Sequence, residues 1–149
     1  MKIKQKPHSS DSKVQKVAEG KILRQFNKKL KLNLSSQKLQ IDGVTFYIDG
    51  FSEKKSILCE IYSHIGALKA AQKNKVTHDI LKMVLIEKLK RKKMQKYYLF
   101  ADEKAASSYL NSKAWASKIK KVFNVRFEVI KISKTLRSKI LNAQKNQYR

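Results

Sequence analysis

Apolar residues recur at Val14, Ala18, Ile22, Phe26 and Leu30, a helical step that predicts an amphipathic helix from about Asp11 to Leu32, with Ser10 or Asp11 as its cap. The pattern then changes period. LQIDG and VTFYIDG are short β-branched and aromatic runs separated by Gly43, two strands or one bent strand. After the polar turn FSEKKS, the run ILCEIY completes a hairpin. Alternation along this last run places Glu60, Tyr62 and His64 on one face and Cys59 and Ile61 on the other.

From Ala67 to about Lys92 the chain reads as its longest helix, apolar on much of its circumference and therefore expected to lie across the sheet. KYYLFA follows as a buried strand, Glu103 to about Val122 as one helix or two, and VRFEVIKI as a further strand. Ser133 is placed to cap a last basic helix with apolar positions Leu136, Ile140 and Leu141. The order helix, hairpin, long helix, strand, helix, strand, helix predicts an α/β fold with a mixed central sheet flanked by helices. Residues 1–10, with Lys2, Lys4, Lys6 and the single proline, read as a basic arm, and 11–149 as one domain.

Charge changes this picture most. The 149 residues hold 35 Lys+Arg against 11 Asp+Glu, a formal net of +24, far past the roughly 2 to 8 units that solubility asks of a small domain. A folded surface of that charge is relieved by a polyanion through counterion release, which points to nucleic acid. The runs Lys88 to Lys96 and Lys131 to Arg149 form a phosphate footprint, with Lys88, Lys90, Arg91, Lys92, Lys93, Arg137 and Lys139 as its expected contacts. No stretch is apolar enough to span a membrane, no charged leader is followed by an apolar run, and a single cysteine suits a reducing compartment. The expectation is a cytoplasmic protein without a membrane partner. His8 and His78 lack zinc-ligand spacing with each other or with Cys59.

The acids are unevenly spread. Between Ile41 and Gly66 stand Asp42, Asp49, Glu53 and Glu60 against Lys54 and Lys55, an island of opposite sign on a basic chain. A protein that holds phosphates has no use for such an island, whereas one that cuts phosphodiesters does, because carboxylate oxygens bind hard divalent cations that bridge to the anionic substrate. Asp49, ending one strand, and Glu60, inside the next, lie on neighbouring strands about 4.8 Å apart and share one Mg²⁺ or Mn²⁺ if they face the same side. On the long helix, Gln72, Lys75, Val76, Asp79 and Met83 share a face, so Gln72 and Lys75 are placed to position the attacking water and the scissile phosphate. A competing reading makes Asp49 a turn former, Glu60 the partner of a lysine, and Lys75 the surface partner of Asp79 at spacing four.

An aspartate ending one strand, a glutamate in the next and a following helix with Gln and Lys resemble the PD-(D/E)XK restriction-endonuclease-like superfamily. The stretch IDGFSEKKSILCEIYSHIGALKAAQKNKVTHDILKM is similar to a group of uncharacterised small bacterial proteins placed there, and the resemblance covers mainly Ile41 to Met83. It implies a restriction-endonuclease-like arrangement and a Mg²⁺-dependent endonuclease, a hydrolase acting on DNA in preference to RNA, with a homodimer compatible with it. Asp49 matches the first metal-binding aspartate and Glu60 the acid of the tripeptide. Glu19 matches the glutamate that many members carry on their first helix.

Two positions depart from the pattern. Ile48 stands where the motif has proline, and Tyr62 where it has lysine. Members of the superfamily move that side chain to the following helix, which nominates Lys75, then Lys69 or Lys73; Tyr62 and His64 are accessory candidates. The Tyr62 departure keeps open the alternative of a catalytically inactive nucleic-acid binder, associated with the nucleoid or the ribosome. A protein-interaction module for acidic partners is a third reading.

Overall fold

The computed structural model describes residues 9–112 and 114–147. The first helix, α1 (Ser9–Leu30), already contains Ser10 and Asp11, so neither is the residue before it. Of the expected basic arm over residues 1–10, positions 1–8, including His8, lie outside the described residues.

Three antiparallel strands follow in place of a simple hairpin: β1 (Ser35–Ile41), β2 (Val44–Ser52) and β3 (Ile57–Tyr62). Asp42 and Gly43 join β1 to β2, both with positive φ, 50° and 75°, the two-residue turn whose twist suits a hairpin. The chain then crosses through α2 (Ala70–Lys90) to β4 (Gln95–Phe100), and through α3 (Glu103–Leu110) and α4 (Ala114–Val122) to β5 (Val125–Val129). It ends on α5 (Lys134–Gln147). β3, β4 and β5 are parallel, so the sheet is mixed, in the order β1-β2-β3-β4-β5.

The expected α/β class and element order are therefore present, with the region from Glu103 divided into two helices and Ser133 Oγ accepting the Leu136 N–H at 3.1 Å as the cap of α5. Two boundaries move inward. The long helix starts at Ala70, and β5 stops at Val129, short of the expected VRFEVIKI run.

The layers follow from the alternation. One face of the sheet, with Leu58, Tyr62, Tyr98 and Phe100, is covered by Val76, Ile80 and Met83 of α2, Ala105 and Tyr109 of α3 and Ile119 of α4. The other face, with Ile57, Cys59, Ile61 and Leu99, is covered by Ile22 and Phe26 of α1. Ala18 of α1 meets Leu136 and Ile140 of α5. β3, flanked by β2 and β4 and covered on both sides, is buried at all six positions.

Strand β2 breaks its own alternation once. Phe46, Ile48 and Phe51 all pack toward α2. That is possible because Gln37 pairs with Ile48 and Ser35 with Phe51, leaving Asp49 and Gly50 opposite a single residue of β1. This β-bulge bends the strand and re-aims the side chain it carries. Gly50 suits the place for a steric reason: a Cβ there would lie 3.0 Å from both Cys59 Cβ and Leu23 Cδ1. Among the described residues, no helix is long and apolar enough to cross a membrane.

Candidate functional site

The bulge sits where β2 and β3 part. Their ladder runs from Ser52↔Ile57 to Gly50↔Cys59, and one step further would set Asp49 opposite Glu60. Instead the Asp49 carboxylate enters the fork, its Oδ2 accepting the Ile61 N–H at 3.0 Å. A side chain thus satisfies a backbone donor of the buried central strand.

Glu60 faces α2 and is 3 % exposed. Lys82 Nζ lies 2.8 Å from its Oε1, an ion pair by distance, although that buried oxygen meets no hydrogen bond of good geometry. Lys82 also donates to the Tyr47 carbonyl of β2 at 2.8 Å, so it spans the fork. Burial first, and the charge of Asp49 second, push the Glu60 carboxyl up to about 9, against the opposing pull of Lys82. Desolvation of the anion outweighs one cation beside it.

Two further acids join this group. Asp79, on α2 and buried, accepts the Tyr98 hydroxyl at 2.9 Å and pairs with Lys75 at 3.3 Å. Glu19, on α1, has a carboxyl raised by burial and then by Asp49, with Asp79 adding to the same effect and Gln15 and Lys75 opposing it. Glu19 and Glu60 therefore each feel the charges of Asp49 and Asp79, four carboxylates from α1, β3, β2 and α2 in a chain that has 11 acids in all. The other two acids of the sequence island go elsewhere: Asp42 makes the β1–β2 turn, and Glu53 pairs with Lys90 at 2.8 Å.

The remaining expected residues divide. Lys75 lies at the rim with its side chain half-exposed. Burial, and then the charge of Lys75, lower the pKa of the nearby His64. Gln72 lends its amide oxygen to the Lys69 N–H at 2.9 Å, stabilising the first turn of α2, so that oxygen is engaged at the helix start. Lys69 and Lys73 belong to the same end of the helix, Lys69 exposed and Lys73 half-buried. Tyr62, at the motif lysine position, is 2 % exposed; its ring stacks on His64 and meets Phe100 edge-on. It is a core residue. Cys59 is buried as well, its thiol pushed well up by burial, Asp49 and Glu60.

The ion pairs of the competing reading are both formed, Glu60 with a lysine and Lys75 with Asp79. Asp49, however, is a bulge residue whose carboxylate turns into the fork, and Glu60 is fully buried. Lys82 is not among the lysines nominated from sequence. Seven residues after Lys75, it sits only about 20° from it around the helix, and that spacing is the signal that points to it.

The expected phosphate contacts also separate. Lys88, Arg91, Lys92 and Lys93 gather around one groove. Lys90 turns to Glu53 and the Phe51 ring, Arg137 pairs with Asp102 at 3.0 Å, and Lys139 is exposed on α5.

Carboxylate oxygens are the donors that Mg²⁺ and Mn²⁺ take, and Glu60 beside Asp49 supplies them, but its Oε1 already has the Lys82 ammonium at 2.8 Å, which an ion at that oxygen would have to displace. Among the described residues, no three of His, Cys, Asp and Glu are gathered as a ready metal cage. Water and a substrate phosphate would have to complete the coordination, as is usual for Mg²⁺. No protein-family model, curated protein or solved structure matches this chain.

Proposed function

We propose that the chain is a divalent-metal-dependent nuclease that hydrolyses phosphodiester bonds in nucleic acid, with DNA the preferred substrate, on a restriction-endonuclease-like fold. One observation carries the reading. On a chain of net charge +24, Asp49 and Glu60 are brought together in the β2–β3 fork, and burial with mutual repulsion holds the Glu60 carboxyl at about 9. Keeping two acids this way is costly unless a cation is meant to meet them.

Asp49 and Glu60 would hold Mg²⁺ or Mn²⁺, which supplies Lewis-acid neutralisation of the scissile phosphate. The chain's own groups do the rest. Lys75, half-exposed at the rim, exchanges Asp79 for a phosphate oxygen and orients the bond to be cut. Lys82 keeps a positive charge against Glu60 and ties β2 to α2 through the Tyr47 carbonyl. Glu19 would accept the proton of the attacking water, a role supported by its raised pKa. The water oxygen forms a new bond to phosphorus as one ester P–O bond breaks, and the departing oxygen takes a proton from solvent to leave as an alcohol.

A second reading, an inactive nucleic-acid binder, is favoured by one observation: Tyr62 stands in the core where the motif lysine would reach the site. Plasmid cleavage with Mg²⁺ separates the two. Nuclease action predicts nicking that falls by about 10² or more in Asp49→Ala and Glu60→Ala. Equal activity in all three proteins removes it, and salt-sensitive binding indifferent to Mg²⁺ then supports the binder.

A further inference from the structure

The far end of α2 builds a second site. Its last turn, the loop to β4 and the turn between α4 and β5 enclose an open groove of about 820 Å³. Lys88, Arg91, Lys92, Lys93 and Lys121 line it, all exposed. The one carboxylate among the described lining residues, Glu87, is already taken by Lys96 Nζ at 2.7 Å and the Met94 N–H at 2.8 Å. Lys96 is itself buried, so this pair ties the helix end to β4 and leaves the five outer cations without an acid of the groove to face.

Two features point to the occupant. Arg91 ends α2 in the left-handed conformation, φ 52°, which glycine adopts at least cost; a cation stands there against local preference. Phe123, 42 % exposed, is an aromatic ring lining the same groove as the five cations. Phosphate charges match the cations, and a ring face matches an unpaired base, because duplex bases keep their faces stacked on each other.

We propose that this groove binds single-stranded nucleic acid, with phosphates on Lys88, Arg91, Lys92, Lys93 and Lys121 and a base stacked on Phe123. Lys88 lies nine residues beyond Asp79, about 14 Å along the helix, so the groove is apart from the carboxylate cluster. The proposal holds whether or not that cluster cuts.

Fluorescence anisotropy of a labelled dT₁₂ and a 12-base-pair duplex, both in EDTA, tests it. Wild type should bind dT₁₂ more tightly than the duplex. Phe123→Ala should weaken dT₁₂ roughly 5- to 100-fold while leaving the duplex within about twofold. Replacing Lys88, Arg91 and Lys92 by alanine should flatten the salt dependence by about 0.7 in log–log slope for each phosphate that is no longer neutralised. If Phe123→Ala melts below wild type, Phe123→Trp takes its place, and its emission should be quenched by dT₁₂ beyond any change in wild type. Equal wild-type affinity for single strand and duplex, unchanged dT₁₂ binding in Phe123→Ala, or an unquenched Phe123→Trp overturns the proposal.

Discussion

Glu60 and Asp102 are both buried carboxylates with one basic side chain about 3 Å away, yet they titrate in opposite directions. At the joint of β4, α3 and α5, Asp102 is also pushed up by burial. The Gly66 N–H at 2.8 Å and Arg137 at 3.0 Å outweigh that burial and hold its carboxyl below the ordinary range. In the β2–β3 fork, Lys82 does not outweigh burial and Asp49, and Glu60 rises to about 9. A nearby cation does not by itself decide the charge state; hydrogen bonds to the anion and the sign of the next neighbour do. Asp102 is complete within the fold and serves structure, whereas Glu60 keeps a raised carboxyl despite the Lys82 ammonium 2.8 Å away.

The contrast breaks most visibly by deleting the complete site. Asp102→Ala strands the Gly66 N–H and Arg137 and should cost about 3 kcal/mol, a fall of roughly 6 to 12 °C in Tm, read by thermal melting. Glu60→Gln should act the other way. Below about pH 4.5 the folded and unfolded carboxyls are both protonated; as pH rises toward about 9 the unfolded chain loses its proton first, so wild type loses stability through that window. The amide does not titrate, and its advantage should grow by about 1.4 kcal/mol for each pH unit climbed between pH 5 and pH 9. A constant difference across pH would contradict the raised carboxyl. Tyr98→Phe, which removes one donor from Asp79 and leaves Lys75, should cost about 1 kcal/mol, a loss of roughly 2 to 4 °C.

Much of the scaffold is legible in the chain because each element keeps its period. The four-residue apolar step of α1, the alternation from Phe46 to Ile48 and the unbroken run of β3 announce themselves. Adjacency in the hairpin is equally local, so Asp49 and Glu60 are found together. The bulge is not legible, since the alternation of β2 fails only where Gly50 and Phe51 are buried in succession, and Gly50 is the sole hint. Lys82 escapes because its contact with Glu60 depends on how far α2 stands from the sheet, a distance set by Val76, Ile80 and Met83 packing on Leu58 and Tyr98. The Asp102 joint escapes for the same reason, joining groups 36 and 35 positions apart in sequence.

Calorimetric titration of the protein with Mn²⁺ at pH 8 measures the fork itself. With Asp49 and Glu60 as its carboxylate ligands, wild type should bind one ion per chain, and the heat should vanish in both Asp49→Asn and Glu60→Gln while Asp102→Asn retains it. Identical heats in wild type and the two fork variants would place the ion elsewhere and contradict the account.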